Sequence, residues 1–376
     1  MQIYIHIPFC KRKCLYCDFN SYANCAKELI FGYLTALNRE IELAGNEFGR
    51  GGKNQKITSI FIGGGTPSLL DAQQIESLLE NAKNHFEIDE NAEITIEANP
   101  ESLTEEKLVA YRHAGINRLS MGVQSLYDDN LQAIGRIHDV ETAKNAINIA
   151  REHFDNLSCD LMIGLPFDTS SRVKEEVEEL SGKLDHISVY QLILEEGTPL
   201  ESLVNEGKIA LPNDDEVADL MSVAVKTLKE NGFDRYEVSN FARHNKFSRH
   251  NMGYWTREEY LGIGAGAASF LKLADKSKEI RFSSSKSLEK YIKDVGGASD
   301  YFDVSREEFE ELTKDDIFDE KIMLGLRTSK GVEKSLLNDD CLAKYSKYFV
   351  ENGENVSLND QGFAIMNTIL VDLMRF

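Results

Sequence analysis

Six short runs of aliphatic and β-branched residues alternate with amphipathic stretches through the first half of the chain, and no other feature limits the fold as much. The runs are Ile3–Ile7, Ile57–Ile62, Glu93–Glu97, Asn117–Met121, Leu157–Met162 and Ile187–Leu192. Between them, Ala26–Ala44, Ala72–His85, Glu105–His113, Glu141–Glu152 and Val173–Leu184 repeat apolar residues at helical spacing. A strand, a helix and a second strand in succession form a parallel crossover unit, so the expected class is α/β, with helices packed on a parallel sheet. A doubly wound sheet and a barrel, complete or incomplete, both satisfy this pattern.

The second half reads differently. A charge-rich helix is expected over Asp214–Glu230, and Tyr236–Phe270 is dense in glycine, aromatics and histidine. The polar, Ser/Lys-rich segment Lys272–Lys286 reads as a loop. Beyond Ser299 the segments Glu307–Thr313, Asp316–Leu326 and Lys334–Asn338 read as helices of a small separate domain. The expected organisation is therefore 1–235, a connecting region 236–298, and a helical domain 299–376.

A formal charge of −21 argues against nucleic acid as a partner, because phosphate recognition needs a basic face. No stretch approaches the roughly 18 apolar residues of a membrane span, and Met1–His6 lacks the pattern of a signal peptide. No integral membrane segment and a cytoplasmic location are expected. Six cysteines in 376 residues do not form a disulfide framework, yet three of them fall within eight residues.

Those three, Cys10, Cys14 and Cys17, stand in His6-Ile7-Pro8-Phe9-Cys10-Lys11-Arg12-Lys13-Cys14-Leu15-Tyr16-Cys17. Spacings of four and three would also suit one buried helical face, but Pro8 and the run of cations are odd neighbours for such a stripe. Structural zinc is a second reading, and it wants four closed ligands, with Cys25 or His6 as the fourth. The third reading is an iron–sulfur cluster. Three thiolates leave one iron of a cubane open, and that iron can take the amino and carboxylate groups of S-adenosylmethionine (SAM). The spacing, with aromatic Tyr16 before the last cysteine, is the signature of radical SAM chemistry.

Further motifs fall at strand ends, where α/β folds collect ligands. Ile60–Ile62 runs into Gly63-Gly64-Gly65-Thr66-Pro67, and the third strand ends in Glu97-Ala98-Asn99-Pro100. The fourth leads to Gly122-Val123-Gln124-Ser125 and then Arg136, and the fifth carries Asp160 before Gly164-Leu165-Pro166. Each polar residue singly suits a structural role. Together Glu97, Gln124, Arg136 and Asp160 suit the lining of one polar pocket.

With these motifs on hand, the chain resembles the oxygen-independent coproporphyrinogen III oxidase-like radical SAM proteins over nearly its whole length. Tyr4-Ile5-His6-Ile7-Pro8-Phe9-Cys10 and Leu324-Gly325-Leu326-Arg327 with Gly331 add to the likeness. The resemblance implies a partial (β/α)6 barrel with a small, mainly helical C-terminal domain. It implies a 4Fe–4S cluster on the three cysteines and SAM contacts from Tyr4, Gly64, Gly65, Thr66, Glu97, Gln124, Arg136 and Asp160.

Two branches of that family differ in activity. Coproporphyrinogen dehydrogenases, which oxidatively decarboxylate coproporphyrinogen III, carry a further cysteine where this chain has Phe19. The other branch, of heme chaperones, resembles this chain in Cys17-Asp18-Phe19, in a strand starting at residue 3, and in a His-Asn-x-x-Tyr-Trp motif, here His250-Asn251-Met252-Gly253-Tyr254-Trp255. That likeness implies heme as a bound group, an apo-hemoprotein as acceptor and an electron donor protein as a further partner. His250 reads either as a packed, hydrogen-bonded histidine or as a heme contact.

Overall fold

The computed structural model describes residues 1–53, 55–273 and 278–373. All six expected strands form: β1 (Gln2–Ile7), β2 (Lys56–Gly64), β3 (Glu87–Ala98), β4 (Arg118–Gln124), β5 (Leu157–Ile163) and β6 (His186–Gln191). They lie side by side in chain order and pair in parallel. Helices α1 (Lys27–Phe48), α2 (Ala72–His85), α3 (Glu105–Ala114), α4 (Val140–His153) and α5 (Ser170–Ser181) connect them. A partial (β/α)6 barrel results.

Alternation along the strands decides which side faces what. Ile3, Ile5, Ile7, Ile60, Ile62, Ile94, Ile96, Leu119 and Leu161 are buried in the main core. The alternate set, which includes Tyr4, Phe61, Glu97, Arg118, Ser120, Asp160 and Ser188, faces the barrel interior and lines a chamber of about 220 Å³ there. Aliphatic packing outward and polar side chains inward make this barrel's centre a place for ligand or water.

Helix boundaries follow capping chemistry. At α2 the Asp71 amide donates to Gln74 Oε1 at 2.9 Å, within a capping box. At α6 (Asp214–Glu230) Asn213 and Glu216 exchange the same pair of bonds at 2.8 and 3.0 Å. Such boxes satisfy amides that have no partner inside the helix.

The sheet continues past both sides of the six strands. Beyond β6 come β8 (Asn240–Ala242) and β7 (Asp234–Arg235), both antiparallel. On the other side β9 (Tyr260–Ile263) pairs in parallel with β1, followed by antiparallel β10 (Ala268–Lys272), β11 (Glu279–Ser284) and β12 (Arg306–Leu312). Two expectations are corrected here. Lys272–Lys286, read as a loop, contributes strand β11, while its residues 274–277 lie outside the described residues. Glu307–Thr313, read as a helix, lies mostly in β12. Cross-strand ion pairs Lys278–Glu311 and Arg281–Glu310 satisfy this charged edge, so it has no apolar period to reveal it.

One buried network ties these additions to the barrel. Glu40 of α1, wholly buried, accepts from the Gly264 amide at 2.9 Å, from Tyr291 Oη at 2.7 Å and from Arg306 Nη1 at 2.9 Å. Further on, Ile322, Leu326, Val356, Ile369 and Leu370 belong to a second core. It is built from helices Lys314–Gly325, Asp339–Lys344, Asp360–Ala364 and Met366–Leu373 around a small three-stranded sheet. Among the described residues no helix is long and apolar enough to cross a membrane.

Candidate functional site

The cysteine loop leaves β1 and returns beside it. Phe9–Cys10 pairs with Tyr22–Ala23, and the Tyr22 amide donates to Pro8 O at 2.7 Å, pinching the segment between them into a closed loop. Cys10, Cys14 and Cys17 are free thiols, each half-buried. Outer partners hold two of them: Thr66 Oγ1 lies 3.6 Å from Cys10 Sγ and Arg136 Nη1 lies 3.5 Å from Cys14 Sγ. Arg12 anchors the loop through the carbonyls of Gly135 and Arg136 at 2.9 and 2.8 Å. A Cβ on Gly65 would stand 2.7 Å from Phe9 O and 3.0 Å from Cys10 Sγ, so only glycine lets the two loops approach this closely.

This donor set bears on which metal group fits. Burial pushes the Cys10 and Cys17 thiols up, which favours their neutral form until a cation meets them. Among the described residues no three His, Cys, Asp or Glu side chains gather around one ion-sized point. A closed zinc site would require four ligands at about 2.0–2.3 Å from one centre. A cubane takes each thiolate at a different iron, and three thiols with the Arg136 guanidinium and the Thr66 hydroxyl behind two of them suit it.

The cavity beside the loop has a volume of about 400 Å³, and the cysteines share its walls with Tyr16, Gly64, Gly65, Thr66, Glu97, Gln124, Arg136 and Asp160. Nearly all the residues singled out from sequence therefore converge. Gly64 adopts φ 118° and its amide donates to Glu97 Oε2 at 3.0 Å. Gln124 has φ 70° where the register between β4 and β5 shifts, a bulge that re-aims its side chain. Arg136 Nη2 donates to Asn99 Oδ1 at 2.8 Å and to Gly122 O at 2.6 Å, while Asn99 Nδ2 donates to Thr66 Oγ1 at 3.2 Å. Asn99 was not among the expected site residues, although its Glu-Ala-Asn-Pro motif was. It joins the glycine loop to the arginine.

Two carboxylates dominate the electrostatics. Burial raises Glu97 to about 7, helped by the nearby Asp160 charge, and burial raises Asp160 to about 6. A site that costs a carboxylate its charge when empty is one that gains from a bound cation. The same shifts make stability depend on pH. Between the ordinary carboxylate range and about pH 7 the folded protein holds more protons than the unfolded chain, so stability falls as pH rises through that window. Each unit of displacement corresponds to about 1.4 kcal/mol. The ligand-free protein is expected to show a lower urea midpoint at pH 8 than at pH 5, and Glu97→Gln with Asp160→Asn should flatten the difference. An unchanged slope in the double variant would remove these groups as its source.

Two expected site residues lie elsewhere. Tyr4 sits one layer below the cavity, its hydroxyl 2.9 Å from His6 Nδ1, and lines the inner chamber rather than the cysteine cavity. His250 lies at the floor of that chamber on α7 (Arg249–Trp255), only 1% exposed. Its Nδ1 is 2.8 Å from Ser59 Oγ, its Nε2 is 2.9 Å from Tyr254 Oη, and its ring stacks on Phe61. Burial, with the Arg118 charge, lowers it to about 3. Both ring nitrogens therefore have hydrogen-bond partners within the fold. The motif closes the amino end of the barrel, where Glu93 accepts from the Arg249 and His250 amides at 3.1 and 3.2 Å.

Comparisons with known proteins agree with this geometry. Residues 4–180 match the Radical SAM superfamily. The chain is 35% identical over 340 residues to the heme chaperone HemW of Bacillus subtilis, covering 88% of this chain and 84% of that protein. To the heme chaperone HemW of Haemophilus influenzae it is 34% identical over 395 residues, covering 98% and 97%. The structure of coproporphyrinogen III oxidase (HemN) from Escherichia coli superimposes with a TM-score of 0.80, covering 98% of this chain and 89% of that one at 23% identity, and so shares the fold. By sequence over almost its full length, the chain belongs to the HemW-like radical SAM family.

Proposed function

We propose that this chain binds heme and passes it to apo-hemoproteins, and that it holds a 4Fe–4S cluster on Cys10, Cys14 and Cys17 with SAM at the open iron. The observation that carries the reading is the likeness to heme chaperones over both the barrel and the C-terminal region, not the barrel alone. When bound, the cluster would supply an electron to the sulfonium of SAM. The chain's own groups bind and orient: Gly64 and Gly65 leave room for the methionine end, and Arg136 backs Cys14 while bracing Asn99 and Gly122. Glu97 and Asp160 present negative charge to a cationic ligand in the cavity.

Phe19 and Ile193 line the mouth of that cavity and are 65% and 64% exposed. Phe19 occupies the position where the decarboxylating branch carries a cysteine. An apolar edge in that place suits a macrocycle resting outside the barrel better than a proton donor for chemistry within it. The competing reading, oxidative decarboxylation of coproporphyrinogen III, draws support from the cavity lining, in which all the expected SAM contacts but Tyr4 meet, and from the shared fold.

Anaerobically reconstituted protein, given SAM, a strong reductant and coproporphyrinogen III, is expected to yield no more protoporphyrinogen than a Cys14→Ser control. The same preparation is expected to bind heme and load an apo-hemoprotein. Accumulation of protoporphyrinogen above the control would replace the chaperone reading by the decarboxylase one. His250→Phe is expected to leave the spectrum of bound heme unchanged, because the imidazole is already committed to Ser59 and Tyr254.

A further inference from the structure

Arg118 is a buried cation of the barrel interior. It opens β4, is 2% exposed and reaches into the chamber beneath the SAM cavity. Its Nε is buried without a hydrogen-bond partner. Among the described residues no carboxylate forms an ion pair with it, although Glu97 and Asp160 line the same chamber. A guanidinium stays charged at any pH a protein survives, and burying one away from bulk water is unfavourable unless something compensates it. Where arginine pairs with a carboxylate, the contact is frequently bidentate. This one stands off from both acids, so its field acts on the pair together rather than neutralising either member.

We propose that Arg118 is a positioning residue for SAM: its guanidinium, buried beneath Glu97 and Asp160 and ion-paired with neither, favours their charged forms against the effect of burial, so that the cavity above them accepts the sulfonium cation. The inference rests on the SAM reading given above. Glu97 and Asp160 belong to both compartments, since each lines the cysteine cavity and the inner chamber, whereas Arg118 lines the chamber alone. Arg118 therefore does not touch SAM and acts through the two acids. Both feel it directly, and the same charge helps keep His250 neutral. The chamber also holds His250, Tyr4, Tyr190 and Tyr254, and the cavity side adds Tyr16, Arg12, Lys13, Arg136, Asp18, Glu195 and the three cysteines. Burial raises all four tyrosine hydroxyls, so none supplies a negative charge near neutrality.

The test compares affinities for SAM and for S-adenosylhomocysteine, which lacks the sulfonium charge, across pH 6–9 on cluster-reconstituted protein. In the parent protein, SAM affinity is expected to rise as pH passes the range where Glu97 and Asp160 ionise, and then to level off. In Arg118→Gln that rise is expected to move at least about one unit toward alkaline pH, a loss of about tenfold at pH 7 that is largely recovered at pH 9. Arg118→Lys, which keeps the charge, should restore most of the parent profile. S-adenosylhomocysteine should bind both variants with little pH dependence.

A uniform loss in Arg118→Gln at every pH and for both ligands would assign Arg118 a structural role and overturn the proposal. A profile identical to the parent would do the same. Failure of the parent itself to bind SAM at any pH would instead strike the SAM reading, so the two failures are told apart.

Discussion

Replacing Glu40 with leucine is expected to cost about 3–5 kcal/mol of stability, the range for breaking one side of a buried ion pair. The carboxylate satisfies three donors at once: the Gly264 amide, Tyr291 Oη and Arg306 Nη1. Removing it strands a guanidinium whose other contacts, Ser284 Oγ and Tyr301 O, are neutral. Arg306→Leu alone should also be costly, because Glu40 then keeps only neutral partners. The double variant should lose much less than the sum of the two, since matched apolar groups replace a pair whose burial was itself expensive. Urea denaturation of the four proteins measures the coupling. Additive losses would show that Glu40 and Arg306 act independently.

The second large effect concerns the cysteine loop. Cys14→Ser is expected to abolish a stable cluster, seen as loss of bound iron and of the visible absorption of reconstituted protein. Cys14 sits between the other two thiols in sequence and takes the Arg136 contact at 3.5 Å. Losing a ligand should exceed the roughly 10–100-fold that outer partners contribute to metal affinity. Arg136→Gln and Thr66→Val remove such partners, and each is expected to fall within that smaller range. Full iron occupancy in Cys14→Ser would exclude the three-cysteine assignment. The fold itself should survive, because the loop lies outside the main core.

How far the sequence reveals this arrangement depends on where the determining contacts lie. Alternation and capping are local, so Ala72–His85 and Asp214–Glu230 are readable to the residue. The cysteine spacing and the strand-end motifs are local too, and parallel topology then gathers them at one end. The charged strand Arg306–Leu312 is not readable, since its register is fixed by partners on Glu279–Ser284 and by Glu40, far away in the chain. The setting of His250 is hidden for the same reason. Its partner Ser59 lies on a strand that no local pattern connects to it. Arg118 is hidden by the inverted barrel, whose inward-facing positions carry polar residues that look like the solvent face of an ordinary strand. Glu97 and Asp160 escape this only because recognisable motifs accompany them.

The placement of β1 in mid-sheet has a consequence for synthesis. Its two neighbours come from opposite parts of the chain: β2 follows within about 60 residues, whereas β9 pairs Tyr260 with Gln2. A ribosome adding roughly 5–20 residues per second therefore leaves one edge of the nascent first strand uncovered for some tens of seconds. An open parallel edge invites pairing with another chain, and a product cut short before residue 260 would keep that edge permanently. Truncated forms of this protein should accordingly aggregate while the full-length chain stays dispersed.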